Sequence, residues 1–135
     1  MMTRRMVILD AMVTSLILGG WPAVAAPKRS RAMRLLDSDN DGTVDRDEAK
    51  RSASTLFDKL DRDRDGTLDR GELRSRLSSA QFAAADPDKD GTLSKDEYLK
   101  AVEVRFKAAD RDNDGTLDER ELRSSPGQAL LRLLR

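Results

Sequence analysis

The sequence predicts an all-α protein made of four helix–loop–helix units, with short helices shared between successive loops and a short C-terminal helix. Three observations predict it. A twelve-residue stretch occurs four times, at Asp37–Glu48 (DSDNDGTVDRDE), Asp61–Glu72 (DRDRDGTLDRGE), Asp86–Glu97 (DPDKDGTLSKDE) and Asp110–Glu121 (DRDNDGTLDERE), with starts 24, 25 and 24 residues apart. The segments between these loops carry apolar residues at helical spacing and contain neither Pro nor Gly. The charge follows the repeat: of 24 acidic residues after Ala25, 22 lie inside the loops, which an acidic disordered tail would not show.

Every loop has Asp at positions 1, 3 and 5, Gly at 6, Thr at 7, Val or Leu at 8 and Glu at 12. Alternate residues of a tightly curled loop point inward, so the first three Asp offer carboxylates to one hard cation. A calcium ion takes six to eight oxygens at roughly 2.3–2.6 Å. Gly42, Gly66, Gly91 and Gly115 supply the positive φ of the sharp turn. Position 7 offers a main-chain carbonyl, position 9 a direct or water-mediated ligand, and the position-12 Glu reaches back from the following helix. The candidate ligands are thus Asp37, Asp39, Asp41, Thr43, Asp45 and Glu48 in loop 1; Asp61, Asp63, Asp65, Thr67, Asp69 and Glu72 in loop 2; Asp86, Asp88, Asp90, Thr92, Ser94 and Glu97 in loop 3; and Asp110, Asp112, Asp114, Thr116, Asp118 and Glu121 in loop 4. Val44, Leu68, Leu93 and Leu117 at position 8 point away from the metal into the core.

These four segments resemble EF-hand loops at every ligand position, and with their flanking helices the resemblance covers about Met33 to Ser124. The whole is similar to small exported bacterial EF-hand calcium-binding proteins with four closely spaced loops. The resemblance implies Ca2+ as the bound ion and helix–loop–helix units as the fold.

Taken in order, residues 1–25 read as a cleaved signal peptide. Arg4 and Arg5 form a basic start, Val7 to Gly20 is mostly apolar, and Ala23-Val24-Ala25 places small residues before a cleavage site at Ala26. Asp10 and Pro22 leave too little apolar length for a stable membrane anchor across a core of about 30 Å. Thr3 to Ile8 also resembles a twin-arginine export signal, with an ordinary basic start the favoured reading. The expected location is periplasmic or secreted. Residues 26–32 form a basic leader, and residues 33–124 the four-loop domain.

The first helix is expected over Ser30 to Leu36. Apolar pairs four residues and one residue before each loop (Met33 and Leu36, Phe57 and Leu60, Phe82 and Ala85, Phe106 and Ala109) mark the core side of each entering helix. The linkers hold 12, 13 and 12 residues. Ala49, Ala53, Leu56, Phe57 and Leu60 share a face in the first, Leu73, Leu77 and Phe82 in the second, and Tyr98, Val102, Phe106 and Ala109 in the third. Each reads as one helix of about 15 residues and ~22 Å. Shared helices put successive loops at opposite ends, so loops 1 and 3 are expected to meet at one end and loops 2 and 4 at the other. The alternative breaks the linkers at Ser52–Ser54 and Ser78–Ser79 and keeps ordinary pairs. Residues 125–135 are expected to form a tail helix after the Ser124-Ser125-Pro126 stop. Its apolar residues are expected to fold over the hands; engagement of a membrane surface or partner is the other reading.

Composition removes several functions. No Cys means no disulfide, thiolate site or cysteine nucleophile, and no His removes the commonest general base. With carboxylates committed to metal, enzymatic activity is not expected. Basic and acidic residues interleave, so no run announces nucleic acid. Only 4% of residues are aromatic, which argues against a large conventional core. Two roles remain: a calcium buffer or calcium-stabilised envelope protein, or a sensor that exposes a surface to dock a protein partner. Met33 is the single methionine after the signal, few for a Met-rich target groove.

Overall fold

The computed structural model describes residues 28–135. The expected signal peptide, its cleavage site before Ala26 and the start of the leader lie outside the described residues. Helix α1 (Arg31–Leu36) opens the described chain, capped by the Ser30 side chain, which accepts from the Met33 N–H. There follow β1 (Val44–Asp45), α2 (Arg46–Leu60), β2 (Thr67–Leu68), α3 (Arg70–Leu73), α4 (Ser79–Ala85), β3 (Leu93–Ser94), α5 (Lys95–Ala109), β4 (Thr116–Leu117), α6 (Glu119–Arg123) and α7 (Ser125–Leu131).

Loop chemistry and helix chemistry share residues. Position 9 caps the leaving helix and position 12 is its third residue. Asp45 with Glu48, Asp69 with Glu72, Ser94 with Glu97 and Asp118 with Glu121 each form a reciprocal capping box. At the other end, the position-1 Asp terminates the entering helix: the Asp37, Asp61 and Asp110 N–H groups donate to the Met33, Phe57 and Phe106 carbonyls, each at 2.9 Å. The candidate ion site and the helix boundaries are therefore written by the same side chains.

The first and third linkers are single helices of 15 residues, α2 and α5, as expected. The second linker is not. After α3 the chain turns at Arg74, which takes φ 54° and ψ −131°, a conformation that costs a non-glycine residue on the order of 1–3 kcal/mol. Ser78 then restarts the helix through its own capping box with Gln81. The break at Ser78–Ser79 is realised, whereas Ser52–Ser54 stays inside α2, where Ala53 is fully buried.

That single break corrects the expected pairing. Two small antiparallel sheets form, one of β1 with β4 (Val44 opposite Leu117) and one of β2 with β3 (Leu68 opposite Leu93). Loop 1 therefore meets loop 4 and loop 2 meets loop 3, not 1 with 3 and 2 with 4. The reason lies in the two unbroken helices. α2 carries loops 1 and 2 at its ends, and α5 carries loops 3 and 4. They pack antiparallel: Phe57 meets Tyr98 edge-on with ring centroids 5.6 Å apart, Lys50 pairs with Glu103, and Lys95 reaches Asp58 at 2.9 Å. The turn at Arg74 brings loops 2 and 3 to one end, which leaves loops 1 and 4 together at the other. The fold is thus largely helical but not purely so.

A contiguous apolar core runs between α2 and α5, larger than the low aromatic content suggests. It includes Met33, Val44, Phe57, Leu68, Phe82, Leu93, Tyr98, Val102, Phe106 and Leu117. Ala85, expected inside, is only partly buried at its edge. The C-terminal segment closes the core: Leu130, Leu131, Leu133 and Leu134 are buried, and the Tyr98 hydroxyl donates to the Leu133 carbonyl at 2.8 Å. Ser124 ends α6 and caps α7 by accepting from the Gly127 N–H. Gly127 lies so close to α6 that an added Cβ would stand 2.0 Å from the Glu121 carbonyl oxygen.

Candidate metal centre

Each loop gathers its position-1, position-3 and position-12 carboxylates. Asp37, Asp39 and Glu48 have ligand oxygens within 4.8 Å of one another, as do Asp61, Asp63 and Glu72; Asp86, Asp88 and Glu97; and Asp110, Asp112 and Glu121. Like charges this close repel strongly. Main-chain donors hold them. The position-1 carboxylate accepts from the glycine N–H at 3.0 Å in all four loops and from the position-5 N–H through its other oxygen. The position-12 Glu accepts from the position-9 N–H. In loops 1, 2 and 4 its other oxygen accepts from the position-2 N–H. Pro87 occupies position 2 of loop 3, so Glu97 lacks that donor.

Positions 5, 7 and 9 border these triads. Asp41, Asp65, Asp90 and Asp114 each use Oδ1 to accept from the N–H and hydroxyl of Thr43, Thr67, Thr92 and Thr116. Asp45, Asp69 and Asp118 spend Oδ1 on the capping bond, and Ser94 does the same with its hydroxyl. One carboxylate oxygen at each of these Asp positions is left without such a bond.

The electrostatics follow this arrangement. Donation from the Thr main chain and hydroxyl holds Asp41, Asp65 and Asp114 below the usual carboxylate range. Asp39, Asp63 and Asp112 lie above it. A position-5 N–H is their largest single influence and lowers them, but desolvation together with the neighbouring Asp and Glu charges outweighs it. In loop 3 the Asp86 carboxyl pushes Asp88 up. For Asp86 burial is the largest influence and raises it, yet bonds from Asp88 and the Gly91, Asp90 and Lys89 N–H groups bring it below the usual range. Carboxyl groups gathered this closely form a site short of positive charge. A divalent cation with hard-oxygen preference fits this donor set.

Two features were not read from the sequence. Position 4 of every loop sits at positive φ: Asn40 at 61°, Arg64 at 58°, Lys89 at 56° and Asn113 at 57°. Asn tolerates this region better than Arg or Lys, and its presence in loops 1 and 4 alone was the available signal. Arg29 also reaches loop 1, donating to Asp37 Oδ2 at 3.0 Å and to the Asn40 carbonyl at 3.2 Å. Nothing in the spacing announces that contact.

A family model described as EF hand matches residues 30–51, 54–78, 79–102 and 102–124, one match per loop with its flanking helices. No curated protein matches the sequence. With four consecutive matches over most of its length and an acidic triad gathered in each, the chain belongs to the EF-hand family.

Proposed function

We propose that this is an exported, non-enzymatic calcium-binding protein whose four loops each hold one Ca2+, and which buffers the ion or is stabilised by it outside the cytoplasm. The observation that carries the reading is the fourfold gathering of the position-1, position-3 and position-12 carboxylates within 4.8 Å. Bound calcium supplies the positive charge those carboxylates lack. The chain supplies everything else: N–H groups aim the carboxylates, capping boxes fix the position-12 Glu, and the sheets couple loops in pairs. Binding energy then acts as folding energy, because the unfolded chain has no gathered site. Export rests on Arg4, Arg5, the apolar run Val7 to Gly20 and Ala23-Val24-Ala25. Among the described residues no helix is long and apolar enough to cross a membrane.

A buffer or calcium-stabilised role is favoured over a sensor because the C-terminal segment covers the core with four buried leucines and Met33 is itself buried. One observation favours the sensor reading. An open groove of about 370 Å3 runs between α4, α5 and α7, lined by Leu77, Ala84, Ala101, Val104 and Ala129, and Val104 is 68% exposed. Calorimetric titration with calcium, alongside far-UV circular dichroism and a hydrophobic dye, separates the two. About four ions bound, more helix and little dye binding support the buffer. A calcium-dependent rise in dye binding supports the sensor. No binding rejects both.

A further inference from the structure

Residues 28–135 carry 24 acidic residues, 22 of them in the four loops, while the segments outside the loops hold 15 basic and 2 acidic residues. After the basic leader no basic run is visible along the chain, yet the fold assembles a basic cleft from separate segments. It lies between the turn after α3 and the C-terminal segment, has a volume of about 680 Å3, and is walled by Arg74, Ser75, Arg76, Gln128, Leu131, Arg132 and Arg135, with no Asp or Glu side chain. Among the described residues the ion pairs are Arg29–Asp37, Lys50–Glu103, Lys95–Asp58 and Arg123–Glu119, and none uses an arginine of the cleft. Arg76 is half-buried and fixed by donating to the main-chain oxygens of Arg132 and Arg135. Arg74, Arg132 and Arg135 are exposed. Arg76 is satisfied by those two main-chain oxygens, whereas no acidic side chain lines the cleft beside Arg74, Arg132 and Arg135; like charges repel one another, an arrangement that an anion relieves. Arg74 also stands at the turn where φ is 54° and glycine is the unstrained choice, so an arginine occupies this rim at a conformational cost.

We propose that this cleft is a binding site for a phosphate group, gripped by Arg74 and Arg132, with Arg135, Ser75 and Gln128 as further donors. The guanidinium fork matches two phosphate oxygens at once, which an ammonium does not. The volume falls within the range of small-molecule sites, roughly 300–1,000 Å3. A free phosphate ester and a phospholipid headgroup present the same chemistry, and the test separates them.

The probes are glycerol phosphate, which chelates calcium weakly, and vesicles of phosphatidylglycerol, with phosphatidylcholine vesicles as the neutral control. Both are titrated into the calcium-loaded protein and into the Arg74→Gln/Arg132→Gln variant. Binding of glycerol phosphate that weakens at least about tenfold in the variant supports a site for a free phosphate group. Binding only to phosphatidylglycerol, again lost in the variant, supports the headgroup as source. No binding to either probe, or binding undiminished in the variant while its circular dichroism is unchanged, overturns the proposal. Arg74→Gly adds a check a purely structural role would not pass: it relieves the turn, so the melting temperature rises while phosphate binding falls, and unchanged phosphate affinity there removes Arg74 from the site and overturns the assignment. Calcium isotherms on the same samples keep the two readings apart, since a missing calcium isotherm counts against the loops alone.

Discussion

The two loop pairs look alike in sequence and differ in how they are held. In the pair of loops 1 and 4, the first and last candidate ligands of both loops are buried: Asp37, Glu48, Asp110 and Glu121. In the pair of loops 2 and 3, only Asp86 is. The 1–4 pair has Asn40 and Asn113 at the positive-φ position, the 2–3 pair Arg64 and Lys89. The leader adds a clasp to the first pair, with Arg29 on Asp37 and the Ser30 N–H donating to Glu119 of loop 4 at 3.3 Å. The second pair is closed instead by the strained turn at Arg74, with Gly71 in α3 and Pro87 in loop 3 each removing local support. Candidate ligand lists that differ only at Ser94 thus sit on unequal scaffolds, and rigidity contributes to affinity alongside ligand count.

The largest expected effect is metal removal. A site filled at about 100 times its dissociation constant contributes about 2.7 kcal/mol, so stripping four sites costs most of a small domain's stability. Chelation is expected to lower the melting temperature by tens of degrees. Amide exchange along the chelation series is expected to open β2 and β3 before β1 and β4. Simultaneous opening would erase the distinction between the pairs.

Single ligand losses sharpen it. Glu121→Gln is expected to cost about 2–3 kcal/mol in calcium, the worth of one well-filled site, and Glu72→Gln about half that. Denaturant midpoints measure both. Equal losses would mean that burial of the position-12 Glu does not set its contribution.

A smaller effect is expected at Tyr98, in the first turn of α5 at the 2–3 end. Burial, the largest influence, raises its hydroxyl to about 12. The neutral form is the native one, so this stabilisation is complete below the unfolded value near 10 and is lost as pH rises through about 12. Alkaline unfolding in that window, shifted by Tyr98→Phe, is the expected outcome. At neutral pH Tyr98→Phe is expected to cost about 1 kcal/mol for the lost bond to Leu133. The smallest effect is expected at position 4, where Arg64→Asn or Lys89→Asn should gain a few tenths of a kcal/mol and tighten loop 2 or 3 by bringing it toward its partner pair.

Much of this was legible from residues alone because EF-hand chemistry is local. Twelve consecutive residues fix the ligands, the turn and both helix caps, so the loops, α1, α2 and α5 follow from spacing. The pairing was not legible by the same route. It depends on which of three similar linkers breaks, and the decisive signals, Ser78 with Gln81 and the turn at Arg74, compete with an unbroken apolar stripe at Leu73, Leu77 and Phe82. Gly127 and Arg29 act through contacts with neighbouring segments, at Glu121 and Asp37, that no apolar or ligand spacing encodes.

The most direct test follows the amides of Gly42, Gly66, Gly91 and Gly115 by NMR through a calcium titration. Each donates to the position-1 carboxylate of its own loop at 3.0 Å and so reports on that site. The expected result is that all four shift, with Gly42 and Gly115 saturating at lower calcium than Gly66 and Gly91. Amides that do not move would contradict calcium binding itself, and Gly66 and Gly91 saturating first or together with the others would contradict the unequal pairs.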